Sequence, residues 1–292
     1  MYPIFSIWKH FKEYEITVLT ESRYQELFQC LPFIKYIKID NRPKFYYIIS
    51  YIKFFRWFYN SEFEWVFDLQ TSRRTNLYFS IISLFKNFHW NGIAKNCSHP
   101  HLSANRKKLH TIERQRQQLR AAGISKMFKP DWNYFKSTIS KFNIKRPYAI
   151  LVPGGSRHRK NKRWDFKNFL EIIKFLEKKK IISVLVGGSD EIDVFQSKPK
   201  YASVVNLIGK TNFSDLASLS SGARLILGND TGPMHLFVAC SNEKIPKFVL
   251  FGGASDPRLC APIGNNVTII KENNINNITS KNVKNLINKK KL

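Results

Sequence analysis

From Tyr148 onward the chain repeats one unit: a short apolar run, a glycine turn, then an amphipathic stretch. Tyr148–Val152 reads as a strand ending in Pro153-Gly154-Gly155. Asp165 is placed to N-cap a helix with Phe166, Phe169, Leu170, Ile173 and Leu176 on one face. Ile181–Val186 is a continuous apolar run, as a parallel strand covered on both faces requires. It closes with Gly187-Gly188, and Asp190 and Glu191 open the next predicted helix. Strands at Val204–Ile208 and Arg224–Leu227, with a helix over Phe213–Ser221 between them, continue the alternation. Pro233 starts a helix to about Cys240, in a first-turn position where its missing N–H costs least. Lys247–Phe251 reads as the last strand. Such alternation with short connections requires a parallel sheet with helices on both faces. Because each glycine turn follows a strand, the turns collect along the carboxyl edge, where open sheets bind ligands. A nucleotide or phosphate site is therefore expected there.

The first half alternates less cleanly. Strands are predicted at Glu15–Thr20, Tyr36–Ile39 and Glu64–Leu69, and helices at Tyr24–Phe28, Phe45–Tyr59, after Arg74, and at Thr111–Ala122. Asn143–Pro147 reads as a linker, dividing the chain near residue 145 into domains 1–145 and 146–292. The segment Phe45–Tyr59 is the most apolar stretch. It falls short of the ~20 residues of a spanning helix, and Lys53 and Arg56 interrupt it. A buried helix is the favoured reading, with an amphipathic helix resting on a membrane as the other.

The formal charge of +27 would attract polyanions. The same lysines, accompanied by Asn, Ile and Phe, also fit an AT-rich genome, so charge alone assigns no partner. No recognition-helix or RNA-binding motif accompanies it, and nucleic acid is not an expected partner. Four cysteines without a C-x-x-C pair suit a reduced, cytoplasmic protein. Met1–His10 has no signal-peptide pattern. Cys97, His99 and His101 have a spacing compatible with metal ligation, but no second cluster follows, so a surface loop is expected.

Two segments carry candidate chemistry. Gly228–His235 reads GNDTGPMH: an acid and a hydroxyl just before a helix, a glycine that lets a ligand approach, and His235 in the first turn. A helix amino end suits a pyrophosphate. Asp230 can instead accept from a sugar hydroxyl or serve as a simple N-cap. Pro153–Trp164 carries Arg157, Arg159, Lys160, Lys162 and Arg163 after a strand, where a cation can neutralise a departing diphosphate. Most of the five are expected to be solvated.

These blocks, with Phe251-Gly252-(x)3-Asp256-Pro257 and Phe67-Asp68-Leu69-Gln70-Thr71-Ser72-Arg73, resemble in order and spacing glycosyltransferase family 9. The family transfers heptose from ADP-heptose to the inner core of lipopolysaccharide with inversion. The resemblance runs from about Pro3 to Ile270. It implies an α/β fold of two facing Rossmann-like domains (GT-B type), an acceptor domain followed by a donor domain. By resemblance, Lys162 contacts the donor phosphates. Ser156, Asp230, Thr231, Gly232 and His235 hold pyrophosphate and sugar, and Glu191 reaches ribose or base. Arg73 and Arg74 meet phosphates of the lipid A-Kdo acceptor. No metal or other cofactor is expected, since a lysine and a helix end take over the neutralising role. The setting implied is the inner face of the inner membrane, with peripheral association. A C-terminal helix capped by Thr279 or Ser280, with Val283, Leu286 and Ile287 inward, is expected to pack back on the first domain.

Family members begin with a strand, a glycine loop and an Asp, whereas Met1 falls within the helix that follows. The first strand is thus expected to be missing, with the general base upstream of Met1. Two strands would then lack partners and transfer would be impaired. Transfer of a different sugar, or binding of a sugar nucleotide or anionic lipid without chemistry, are the alternatives.

Overall fold

The computed structural model describes residues 1–44, 46–145, 147–155, 160–188 and 202–290. They form two compact units, Met1–Asp131 and Trp132–Leu292. The division comes earlier than the linker expected near residue 145. Trp132, Ile139, Phe142 and Ile144 already pack against the second unit's core, so the segment before the first strand of that unit belongs to it.

The first unit runs α1 (Tyr2–His10), β1 (Ile16–Thr20), α2 (Gln25–Gln29), β2 (Ile34–Ile39), α3 (Ile48–Tyr59), β3 (Trp65–Phe67), α4 (Arg73–Ile82), β4 (His89–Gly92), β5 (His99–Pro100) and α5 (Thr111–Ala121). Its strands form two separate parallel sheets, β1-β2 and β3-β4-β5. β1 and β3 are end strands, and both line one cavity of about 510 Å³ walled by apolar side chains such as Ile7 of α1, Phe11 just after it, and Phe54 and Phe58 of α3.

Two elements of this unit differ from the sequence reading. The stretch from Cys97 to His101 is not a surface loop: Cys97 and His101 are buried and His99 opens β5. The strand is held from the side, because the Asn91 amide donates to the His99 carbonyl at 3.0 Å and to the Gln118 carbonyl of α5 at 2.8 Å. Among the described residues no group of three or more His, Cys, Asp or Glu is arranged to hold a metal ion. Nor is α3 a buried helix. Only Phe54 and Phe58 are buried, because a helix presents one stripe to a neighbour and α3 is apolar on the opposite side as well.

The second unit runs β6 (Tyr148–Val152), α6 (Phe166–Lys178), β7 (Ile182–Leu185), β8 (Val204–Asn206), α7 (Phe213–Ser221), β9 (Leu225–Asn229), α8 (Gly232–Cys240), β10 (Lys247–Phe251), α9 (Pro257–Cys260), β11 (Val267–Lys271) and α10 (Ser280–Asn288). All six strands form one parallel sheet in the order β11-β10-β9-β6-β7-β8. The helix expected after Asp190 lies outside the described residues. β11 is a strand beyond the one read as last; its half-buried VTIIK sequence fits an edge position on β10.

Side-chain alternation divides the core into two layers. Ala149, Leu151, Leu225, Leu227, Phe248 and Leu250 face α6 and α10, while Ile150, Val152, Ile226, Val249 and Phe251 face α7 and α8. This is the period-2 pattern of a strand buried on both sides. α10 is capped by Thr279, which accepts from the Asn282 N–H at 3.2 Å. Its inward Val283 and Ile287 are taken up by the second unit's own core, beside α6.

Candidate functional site

Counted from the first strand of the second unit, the sheet order is 6-5-4-1-2-3, and it reverses between β6 and β9. At such a switch point adjacent strands send their connections to opposite faces, and their carboxyl ends open a crevice. The residues there are Pro153–Gly155 after β6 and Asp230–Gly232 after β9.

Asn229 holds this crevice together. It is wholly buried, and its amide donates to the carbonyls of Pro153 at 2.7 Å and Gly154 at 3.1 Å, while its side-chain oxygen accepts from the Trp164 N–H at 3.2 Å. One side chain thereby joins the end of β9, the turn after β6 and the entry to α6. Sequence reading singled out its neighbours and not Asn229. The available signal was an amide at the end of an otherwise apolar strand, which must find partners once buried.

Asp230 follows, nearly buried. Its Oδ2 accepts from Lys162 Nζ at 2.7 Å and from Ser255 Oγ at 2.8 Å, and His235 Nε2 stands 3.7 Å from Oδ1. Burial alone would raise its pKa. The donors of His235, Lys162 and Ser255 outweigh that effect and hold the carboxyl down, at about 2. The simple N-cap reading of Asp230 does not match this. The N-cap position of α8 belongs to Thr231, and the carboxylate is already engaged by two side chains from distant segments. Ser255, from the turn after β10, is a site residue that sequence reading passed over; it lies among the three unspecified positions of the Phe251–Pro257 block.

Thr231 makes no cap bond, and its Oγ1 is buried with no partner among the described residues. An unpaired buried hydroxyl costs roughly 1–3 kcal/mol. Pro233 has no N–H to offer, and the N–H groups of Met234 and His235 turn back to the Thr231 carbonyl at 3.1 and 3.3 Å. The amino end of α8 is thus poorer in free donors than its position suggests, and side chains must supply much of the attraction for an anion. Among the described residues, Lys162 and the almost half-exposed His235 stand beside it.

Two glycines here do different work. A Cβ on Gly228 would come within 2.5 Å of the Val152 Cβ and 2.9 Å of its carbonyl oxygen, so Gly228 serves strand packing. A Cβ on Gly232 would meet nothing within 4 Å among the described residues. None of them fills the space above Gly232, at the place where a ligand would approach the helix end.

The structure therefore brings together Lys162, Asp230, Thr231, Gly232 and His235. Ser156 and Glu191 lie outside the described residues. Arg73 and Arg74 belong to the first unit, at the start of α4. Arg73 is exposed. Arg74 donates to the Pro43 carbonyl at 3.1 Å and to the Tyr51 hydroxyl at 2.6 Å, which ties the loop before α3 to α4. Its guanidinium has a structural task as it stands. Nearby, Asp68 follows β3 much as Asp230 follows β9. Its Oδ1 accepts from the N–H groups of Gln70 and Thr71, but Oδ2 is buried with no hydrogen-bond partner among the described residues, and burial raises its pKa.

A sequence profile of glycosyltransferase family 9 (heptosyltransferase) matches residues 55–291. The lipopolysaccharide heptosyltransferase 3 of Escherichia coli K12 is 26% identical over 160 residues, which cover 49% of this chain and 44% of that relative. The chain thus matches less than half the length of this curated relative. Among solved structures, E. coli ADP-heptose lps heptosyltransferase II superposes with a TM-score of 0.71 at 16% identity, covering 98% of this chain and 92% of the other. The E. coli heptosyltransferase WaaC with ADP gives 0.73 at 17% identity, covering 99% and 94%. At these identities the structural likeness establishes the α/β fold of parallel, open sheets.

Proposed function

The chain belongs to glycosyltransferase family 9, the heptosyltransferase family, and on that premise we propose that it transfers a heptose from ADP-heptose to a lipopolysaccharide inner-core acceptor with inversion. The observation that carries this reading is the group formed by Lys162, Asp230, Ser255 and His235 around the open amino end of α8. A diphosphate arriving above Gly232 meets Lys162 and His235, and the unpaired Thr231 hydroxyl gains a partner by a small rotation. Lys162 then exchanges Asp230 for a phosphate oxygen, while Asp230 keeps Ser255 and can accept a sugar hydroxyl.

The chemistry asked of these groups is electrostatic. The acceptor hydroxyl attacks the anomeric carbon from the face opposite the diphosphate, its oxygen bonds to that carbon, and the carbon–oxygen bond to ADP breaks. Negative charge grows on the leaving phosphate, where the Lys162 ammonium stabilises it. The hydroxyl proton must pass to a base, and no residue of the α8 site is assigned that role. By the family resemblance Arg73, exposed at the start of α4, is the residue that would attract an acceptor phosphate. The acceptor's lipid anchor would put the reaction at the inner face of the inner membrane.

The unpaired edges of β1 and β3 favour a second reading, in which the chain binds donor but transfers slowly. One assay separates the two. The chain is incubated with ADP-heptose and a lipid A-Kdo acceptor, and ADP release is followed beside a donor-binding titration. Binding with turnover supports transfer; binding without turnover supports the second reading. Failure to bind ADP-heptose, with binding of a different nucleotide sugar, would reassign the donor.

A further inference from the structure

Nine of the fifteen exposed large hydrophobic residues among those described lie in two short segments, 46–59 and 77–85. One is α3 with the residues just before it; the other is the later part of α4 and the residues just after it. Ile48, Ile49, Ile52, Tyr59, Leu84 and Phe85 are each 59–74% exposed. The second unit contributes only one residue to the fifteen, Ile263. On α3 the exposed residues recur at helical spacing, with Ile48, Ile52 and Tyr59 on one side and Arg56 and Lys53 beside them. The inward stripe, Phe54 and Phe58, packs on Tyr78 and Ile82 of α4. A groove of about 350 Å³ between the helices, lined by Phe55, Arg56, Tyr59, Ile81, Ile82 and Phe85, joins the two exposed segments into one surface.

The charge of the two segments has a single sign. Residues 41–61 contain Arg42, Lys44, Lys53 and Arg56 and no acid, and residues 77–88 contain Lys86 and no acid. A soluble surface rarely leaves such a concentration of large apolar side chains uncovered. A second copy of the chain would set like charges against each other, and a nucleic acid offers nothing for the isoleucines. An anionic bilayer satisfies both features: the apolar side chains enter the acyl boundary and the Lys and Arg heads remain with the phosphates.

We propose that the outer face of α3, with Leu84 and Phe85, docks the protein on an anionic lipid surface. This deepens the membrane setting of the proposed function by assigning it to a face, and it stands on exposure and charge whatever the donor is. In that orientation α3 lies parallel to the membrane plane and does not enter as a span; no described helix is long and apolar enough to cross.

The test uses the full chain and vesicles with no sugar nucleotide and no acceptor, so a wrong donor assignment leaves it untouched. Co-sedimentation is measured with phosphatidylglycerol-containing vesicles and with pure phosphatidylcholine vesicles. The parent chain is expected to bind the anionic vesicles at low salt and the neutral ones at least about tenfold less. The double variant Ile49→Glu/Ile52→Glu should bind anionic vesicles at least about tenfold more weakly, with its thermal midpoint unchanged because both side chains are exposed. Ile49→Leu/Ile52→Leu should bind like the parent. Failure of the parent to bind anionic vesicles would overturn the proposal. So would equal binding by the Glu variant, which would mean that charge elsewhere holds the vesicle. A parent dimer that the Glu variant dissociates, without vesicle binding, would assign the face to a second copy instead.

Discussion

Asp68 and Asp230 are buried acids, each placed just beyond the carboxyl end of a parallel strand, yet they sit in opposite electrostatic states. Asp230 stands beside a sheet of six paired strands, and distant segments deliver Lys162 and Ser255 to it, so its pKa falls to about 2. Asp68 stands beside an end strand of a three-stranded sheet, keeps one oxygen without a hydrogen-bond partner among the described residues, and its pKa rises with burial. What separates them is the place of each strand in its sheet. An interior strand such as β9 has loops delivered from both sides of its end, whereas an end strand such as β3 has them from one side only.

The largest expected consequence is in core packing. Leu227 of β9 is wholly buried and Leu19 of β1 is 40% exposed. Leu227→Ala should cost about 3–5 kcal/mol in denaturant unfolding, and Leu19→Ala less than about 1 kcal/mol. Equal costs would show that the two strands are equally committed and would break the contrast.

The acids themselves give the next effect. Asp230→Asn strands the Lys162 ammonium in a mostly buried position and should destabilise by about 2–3 kcal/mol. Asp68→Asn keeps the oxygen that accepts from Gln70 and Thr71 and should stay within about 1 kcal/mol of the parent. The pH dependence has a defined sign. Because the folded pKa of Asp230, about 2, lies below its ordinary value of 3.8, its stabilisation is fully present above 3.8 and disappears as pH falls through 2. Unfolding midpoints between pH 5 and pH 2 should therefore fall more steeply for the parent than for Asp230→Asn.

Smaller, and most informative about function, is the glycine pair. Gly228→Ala should cost about 1–3 kcal/mol through collision with Val152. Gly232→Ala should leave stability within about 0.5 kcal/mol of the parent, since its Cβ meets no atom of the described residues. If a ligand approaches there, the same variant should weaken donor binding about tenfold in a calorimetric titration; unchanged affinity would place the ligand elsewhere.

The same contrast explains what was legible in the sequence. The strands β6, β7, β9 and β10 declare themselves as largely apolar runs because both their faces are buried, and the edge strand β8 shows itself through Val204 and Val205. β4 and β5 did not declare themselves: they are short, carry His89, Asn91 and His99, and are held by side-chain amides more than by apolar burial. At the site, residues inside a compact motif, Asp230 to His235, could be read directly. Asn229 and Ser255 could not be assigned, because their roles depend on partners 65–76 and 25 positions away in the chain. The apolarity of α3 was plain, but sequence alone could not say which of its sides the neighbouring helix would cover.

The measurement that bears most directly on the whole account is a crystal structure of this chain with ADP. The β-phosphate should lie within hydrogen-bond distance of Lys162 Nζ, over Gly232, with Asp230 still held by Ser255. A diphosphate bound away from the β6–β9 crevice, with the Lys162–Asp230 pair intact at 2.7 Å, would contradict it.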